Sequence, residues 1–151
     1  MSVERGFSFA PEKCIQCHAC AVACKSWREL EPKVRYRWVE NIWQGSYPEI
    51  RCVSSTIACK QCDDPPCVAV CPEGAINKRL EDGIVVVNEE ACSGCQACLG
   101  ACPDAIPQFG ADGKMQKCDL CLGRLDLDAD EPPCVATCPT KALSFLRSKV
   151  E

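Results

Sequence analysis

Sixteen of the seventeen cysteines in this 151-residue chain fall into four groups of four. The groups are Cys14, Cys17, Cys20 and Cys24; Cys59, Cys62, Cys67 and Cys71; Cys92, Cys95, Cys98 and Cys102; and Cys118, Cys121, Cys134 and Cys138. The first and third groups have the C-x2-C-x2-C-x3-C spacing of bacterial-type ferredoxins. Three closely spaced thiolates with a detached fourth suit a cubane cluster. The spacing therefore predicts four [4Fe-4S] clusters and a role in electron transfer.

Two other uses of clustered cysteines fit the pattern less well. Structural zinc sites usually close on two cysteine pairs, whereas these groups are triplets with a separate fourth cysteine, and the chain has one histidine. A disulfide framework favours an even number of cysteines, and residues 1–12 lack the apolar segment of a secretory signal peptide. We therefore expect a cytoplasmic protein with reduced thiols.

Composition narrows the range of partners. The formal net charge is −4, and four clusters on sixteen thiolates would add roughly −8. Such an acidic protein is a poor ligand for nucleic acid. No run of eighteen apolar residues is present, so we expect no transmembrane segment.

Short strands are predicted between the cysteine groups. Residues 75–78 and 83–87 flank an acidic turn and predict a β-hairpin, and residues 142–146 follow the fourth group as another strand. Cysteine loop, short helix and strand thus recur along the chain. This repeat predicts an α+β fold in which tandem bacterial-type ferredoxin-like units, with short helices and β-hairpins, surround the four clusters.

The segment 25–58 differs from the rest because it contains all three tryptophans and both tyrosines. Val34, Tyr36 and Trp38 alternate with Arg35 and Arg37, which predicts a strand. A turn at Tyr47-Pro48 and a return strand over 50–57 complete a hairpin. Either this hairpin packs over a cluster, or part of it forms a docking surface; the tryptophans are Trp27, Trp38 and Trp43.

The cysteine motifs and the residues around them resemble a known family over about residues 10–147. The segments CIQCHACAVACK, CKQCDDPPCVAVCPEGAI, DGIVVVNEEACSGCQACLGACP, KCDLCLGRL and PPCVATCPTKAL are similar to the four-cluster subunits of the dimethyl-sulfoxide-reductase and formate-dehydrogenase type. The resemblance implies a large molybdenum or tungsten catalytic subunit as partner. Because the chain is short, we expect a compact subunit similar to the small polyferredoxin-like partners of tungsten aldehyde oxidoreductases or of formate dehydrogenases.

The resemblance also implies how the cysteines are shared. The four implied ligand sets are Cys14, Cys17, Cys20 with Cys138; Cys118, Cys121, Cys134 with Cys24; Cys59, Cys62, Cys67 with Cys102; and Cys92, Cys95, Cys98 with Cys71. One domain over 1–151 would then hold an outer unit (10–24 plus 113–147), an inserted aromatic hairpin (25–58) and an inner unit (59–112).

No nucleophile–base pair, phosphate-binding loop or dinucleotide motif stands apart from the cysteines, so we expect a non-catalytic subunit. It would relay electrons between the catalytic subunit and a second redox partner such as a flavoprotein or a ferredoxin, and copies could self-associate. The alternatives are a free polyferredoxin shuttle and a metal-sensing module.

Six other residues near the motifs have more than one interpretation. Four lysines adjoin cysteines and either tune a cluster or sit on exposed loops; they are Lys13, Lys25, Lys60 and Lys117. His18 is expected on the loop surface rather than on iron. Cys52, outside every group, is expected to be a small buried apolar residue.

Overall fold

Helices in this chain are short and each begins at a cysteine loop. A computed structural model describes residues 5–147. Its four α-helices are α1 (Ala19–Trp27), α2 (Pro66–Val70), α3 (Ala97–Ala101) and α4 (Pro133–Ala136), and a 3-10 turn covers Pro11–Lys13. The second residue of every α-helix is the third cysteine of a motif. Proline opens α2 and α4, where its missing N–H is not needed by the helix.

Between residues 5 and 147, eight strands form four separate two-stranded antiparallel sheets. The strands are β1 (Gly6–Phe9), β2 (Arg37–Gln44), β3 (Arg51–Ala58), β4 (Ile76–Lys78), β5 (Val85–Val87), β6 (Gln108–Phe109), β7 (Met115–Gln116) and β8 (Leu143–Leu146). The pairs are β1–β8, β2–β3, β4–β5 and β6–β7. The β4–β5 hairpin and strand β8 confirm the two strand predictions. Strand β1 was not predicted, and its pairing with β8 joins the two ends of the described residues.

The helices pack in two pairs that are nested in the sequence. Helix α1 packs against α4, and α2 packs against α3. The larger apolar cluster accompanies the α1–α4 pair and includes Val34, Leu120, Val135 and Phe145. A smaller cluster around Met115 accompanies the α2–α3 pair. First and last motifs are therefore brought together around one core, and the two middle motifs around another.

The predicted aromatic hairpin is present as β2–β3, and burial along its first strand does not follow the alternation of apolar and charged residues at Arg37. Val34, Tyr36 and Trp38 are buried. Arg37 is buried as well, with only 3% of its surface exposed. Its guanidinium lies 4.2 Å from the centre of the Phe7 ring, on the unpredicted strand β1, and so occupies the core instead of solvent.

The far end of this hairpin is exposed. Trp43 and Tyr47 are 70% and 89% exposed, and Ile42 and Ile50 beside them are also exposed. The hairpin thus has an inner end that packs against the cysteine core and an outer end with apolar side chains in solvent. None of the helices between residues 5 and 147 has the length and apolar character needed to cross a membrane.

Candidate iron–sulfur site

Each C-x2-C loop turns through a residue in the left-handed backbone region. The residue directly before the second cysteine has a positive φ in all four motifs: Gln16 (61°), Gln61 (50°), Gly94 (74°) and Leu120 (57°). Only glycine adopts this conformation without cost. This conformation recurs in all four motifs because a tight left-handed turn brings neighbouring thiols to one side of the loop. Sequence reasoning missed this feature, since glycine marks only one of the four positions.

A second recurring turn follows each Cys-Pro pair. The third residue after the fourth cysteine has a positive φ in Gly74, Ala105 and Lys141. The amides of these residues donate to the carbonyls of Cys71, Cys102 and Cys138 at 3.3, 3.1 and 3.3 Å. After the turn at Lys141 the chain runs into β8, and the turn at Gly74 similarly precedes β4. The proline stops the preceding helical turn because it pushes the cysteine into extended conformation.

The thiols of three sets line three separate cavities. The first cavity is lined by Cys14, Cys17, Cys20 and Cys138, the second by Cys59, Cys62, Cys67 and Cys102, and the third by Cys71, Cys92, Cys95 and Cys98. Each of these three groups draws its cysteines from two motifs. Among residues 5–147, no three His, Cys, Asp or Glu side chains surround a point where a single metal ion would bind. The thiols surround small volumes instead.

The remaining four thiols lie together in the larger core. Burial raises the pKa of Cys24 to about 12, and the nearby thiols of Cys134 and Cys121 contribute to the rise. Burial also raises the pKa of Cys121 to about 11, and that of Cys118 and Cys134. Thiols in such surroundings ionise only when positive charge compensates them, and iron supplies that charge when a cluster is bound.

Electrostatic interactions also link thiols of different groups, that is, of different cavities or of a cavity and the larger core. The pKa of Cys98 is raised by burial and further by Cys67. The pKa of Cys118 is raised by burial and further by Cys59, and that of Cys134 by burial and further by Cys20. Cys138 differs: burial opposes ionisation, but the amides of Leu143 and Ala142 and the hydroxyl of Thr140 lower its pKa below the ordinary value.

The four lysines beside cysteines have different surroundings, and Lys13 is exposed. Lys117 is buried, and its Nζ donates to the carbonyls of Val85 and Cys118 at the edge of the second cavity. Lys25 donates to three carbonyls, those of Glu31, Pro32 and Val34, and so fixes the segment after α1. Lys60 pairs with Asp104 at 2.7 Å on the surface. The exposed-loop interpretation is therefore wrong for Lys117.

Gln61 connects two cysteine loops and was not recognised in the sequence. Its side chain is almost completely buried; Nε2 donates to the carbonyl of Cys118 at 2.9 Å, and Oε1 accepts from the amide of Val85 at 2.8 Å. With Lys117 it forms a polar junction between the second and fourth motifs. Nothing in a C-x-Q-C tetrapeptide signals such a contact, because the partner lies 57 residues away.

Two further residues can be placed. His18 is exposed, sits in the left-handed region before α1 and lies on the rim of the first cavity. Cys52 lies on β3 opposite Trp43, half-buried and on the hairpin.

The donor set fits [4Fe-4S] clusters. All donors are cysteine thiols, and they surround small cavities in groups of four. In addition, Nη2 of the buried Arg37 has no hydrogen-bond partner among the described residues. A buried guanidinium requires negative charge nearby, and a cluster held by four thiolates would supply it. These features define the class: an iron–sulfur protein of the ferredoxin kind.

Comparison with known proteins gives the family. A model described as a 4Fe-4S dicluster domain matches residues 51–148. Probable anaerobic dimethyl sulfoxide reductase chain YnfG of Escherichia coli K12 is 40% identical over 154 residues, which cover 96% of this chain and 74% of that protein. A chain of the anaerobic dimethyl sulfoxide reductase of the same organism is 38% identical over the same shares. A sulfite dehydrogenase subunit of Allochromatium vinosum is 35% identical, covering 87% of this chain and 64% of that protein. This protein therefore belongs to the 4Fe-4S dicluster family of iron–sulfur electron-transfer proteins.

Proposed function

We propose that the chain is a non-catalytic electron-transfer subunit that holds four [4Fe-4S] clusters. Each bound cluster would accept and release one electron. The three cavities support Cys14, Cys17, Cys20 and Cys138 as one ligand set, Cys59, Cys62, Cys67 and Cys102 as another, and Cys92, Cys95, Cys98 and Cys71 as a third. The mutual influence of Cys24, Cys121 and Cys134, with Cys118 beside them, supports the fourth set.

We propose a linear order for these sets. The neighbouring thiols Cys98 and Cys67, Cys59 and Cys118, and Cys134 and Cys20 support the order Cys92 set, Cys59 set, Cys118 set, Cys14 set. We infer electron transfer from the exposure of the cysteines along this order. Cys95, in the first set, and Cys17, in the last set, are exposed, and the two middle sets contain no exposed cysteine. Such an arrangement suits entry of electrons at one end and exit at the other.

The nested helix pairs support the proposed domain organisation. The α1–α4 pair would form an outer ferredoxin-like unit over 10–24 and 113–147, and the α2–α3 pair an inner unit over 59–112, with the hairpin 25–58 inserted. All would belong to one domain over 1–151. The junction of Gln61 and Lys117 would keep the two units in contact.

The proposed partners are a large molybdenum or tungsten catalytic subunit and a second redox protein. The relatives include one chain of a dimethyl sulfoxide reductase and one subunit of a sulfite dehydrogenase, which supports assembly of this protein with a catalytic subunit. We propose that the exposed end of the β2–β3 hairpin contributes to that contact, because exposed Trp and Tyr are enriched in interfaces. A cytoplasmic location stays a prediction.

Iron and sulfide analysis of the anaerobically purified protein tests the cluster number. We expect about sixteen irons and about sixteen sulfides per chain, since each complete set of four thiols holds a cubane. Zinc should be near zero. A value of about eight irons in protein that loses none on handling would contradict the proposal.

Copurification tests the docking surface. Trp43→Ser combined with Tyr47→Ser should reduce recovery of the catalytic subunit at least ten-fold while iron content stays the same. Leu80→Ser is the matched control, because Leu80 is 86% exposed but lies on the turn between β4 and β5. Full recovery with the double variant would place the contact elsewhere, and a protein that purifies alone from its native host would favour the free polyferredoxin shuttle.

A further inference from the structure

Arg37 lies close to thiols of two proposed sets, Cys20 on one side and Cys134 on the other, and forms no ion pair with a carboxylate within residues 5–147. We propose that its guanidinium raises the reduction potential of the clusters held by the Cys118 set and the Cys14 set. This inference rests on the cluster assignment proposed above. Arg37 belongs to no cysteine motif; β2 carries it in from the aromatic hairpin.

On one side the guanidinium reaches the first ligand set. Its Nη1 donates to Oγ1 of Thr56 at 2.9 Å, and the same hydroxyl lies 3.8 Å from Sγ of Cys20. Thr56 is on β3, so both partners of the hairpin hold this contact. The hydroxyl can donate to the Cys20 sulfur while it accepts from Arg37.

On the other side the guanidinium faces the buried fourth motif. The buried thiols of Cys118 and Cys134 both lie close to the guanidinium. Its positive charge acts on Cys24 as well. Arg37 is thus the cation shared by three thiols of this set, and through Thr56 it also reaches Cys20.

The other cations near these thiols, Arg28 and Lys117, have polar partners that Arg37 lacks. Arg28, which also affects Cys121, forms a two-point ion pair with Asp119 at 2.7 and 3.2 Å. Lys117 directs its ammonium to two backbone carbonyls. Arg37 forms no ion pair in the described part of the chain, its other face rests on Phe7, and its buried Nη2 has no hydrogen-bond partner there. Its charge remains available to the thiol sets on both sides.

The electrostatic consequence has a defined sign. Reduction adds one negative charge to a cluster, and a buried positive charge stabilises that state more strongly than a solvated one. Arginine stays protonated at every accessible pH, so the effect should not change between about pH 6 and about pH 9. A packing role alone would not produce a shift in potential that depends on the charge at this position.

Redox titration of the holoprotein tests the proposal. In Arg37→Gln, the clusters of the outer unit should show at least a ten-fold lower ratio of reduced to oxidised form at the potential where wild type is half reduced, a shift of about 59 mV for one electron. Arg37→Lys should restore most of that ratio. Arg35→Gln is the control, because Arg35 is exposed, two residues away and stacked on Trp38. Equal potentials in wild type and Arg37→Gln, with iron intact, would overturn the proposal.

If Arg37→Gln loses iron, hyperfine spectroscopy of the reduced protein tests instead whether Arg37 lies beside a cluster. Wild-type protein labelled with 15N only in arginine should show a 15N hyperfine coupling to a reduced cluster. The contribution of Arg37 should be lost in Arg37→Lys, which leaves only a weaker coupling from Arg28 beside Cys121, whereas the full coupling should persist in Arg35→Lys. A coupling unchanged in Arg37→Lys would show that Arg37 is remote from the clusters. The iron content of unaltered protein tests the cluster assignment separately, so the two failures are distinguishable.

Discussion

The third and fourth cysteine motifs lie in opposite surroundings. In the fourth motif Cys118, Cys121 and Cys134 are all buried, and Cys118 and Cys134 belong to the larger apolar cluster. In the third motif Cys95 is exposed and only Cys98 is buried, beside the smaller cluster around Met115. The two motifs have similar donors, yet one sits in the core and the other opens to solvent.

This difference separates two tasks that one cysteine pattern can perform. Buried thiols need compensating charge, so a cluster at the fourth motif would be integral to the folded core. Thiols near the surface allow an external protein to approach a cluster closely. The burial of the thiols, rather than the spacing of the cysteines, therefore distinguishes an internal relay site from a terminal one.

We expect the largest difference between the two motifs when one cysteine is replaced in each. Cys134→Ala should abolish the cluster of the Cys118 set and lower the unfolding temperature of the outer unit, because the remaining thiols of the set, two of them buried, would lose their compensating metal. Cys95→Ala should remove about four irons and leave the rest of the fold intact. Iron content and thermal unfolding followed by circular dichroism would measure both. Equal losses of stability would mean that the two surroundings do not differ in energetic importance.

Replacing Gln61, which joins the second and fourth motifs, should have a smaller effect on the stability of the protein. Gln61→Ala leaves the carbonyl of Cys118 and the amide of Val85 without their side-chain partners, which should lower the free energy of unfolding by about 2 to 4 kcal/mol. The control is Gln96→Ala in the third motif, where the backbone is also left-handed (φ 62°) but the side chain is exposed. Denaturant unfolding compares them, and a similar change for both variants would contradict the role of the buried amide.

The smallest effect concerns thiol reactivity in metal-free protein. Cys138 has a lowered pKa and Cys118 a raised one, so at about pH 8 a larger fraction of Cys138 is thiolate. Iodoacetamide should therefore alkylate Cys138 at least ten-fold faster, and the rate at Cys118 should still be rising at about pH 10. Peptide mass spectrometry at several pH values measures the rates. Equal rates would indicate that the core around the fourth motif does not form without metal.

The sequence by itself determined the four cysteine groups, the short helices that begin at them, and the β4–β5 and β2–β3 hairpins. These features are local: ligand spacing, proline positions and alternating side chains act within a few residues. The left-handed residues Gln16, Gln61 and Leu120 escaped prediction because side chains other than glycine seldom adopt that conformation and do so here under constraint from the loop.

Only the tertiary structure decided which cations are buried. Alternation of apolar and charged residues gives no indication that Arg37 is buried, yet the unpredicted pairing of β1 with β8 brings Phe7 against its guanidinium. Lys117 likewise appeared as a loop lysine until Val85, 32 residues away, supplied a carbonyl for its ammonium. A charged side chain is buried when distant elements provide partners for it, and no local pattern contains that information.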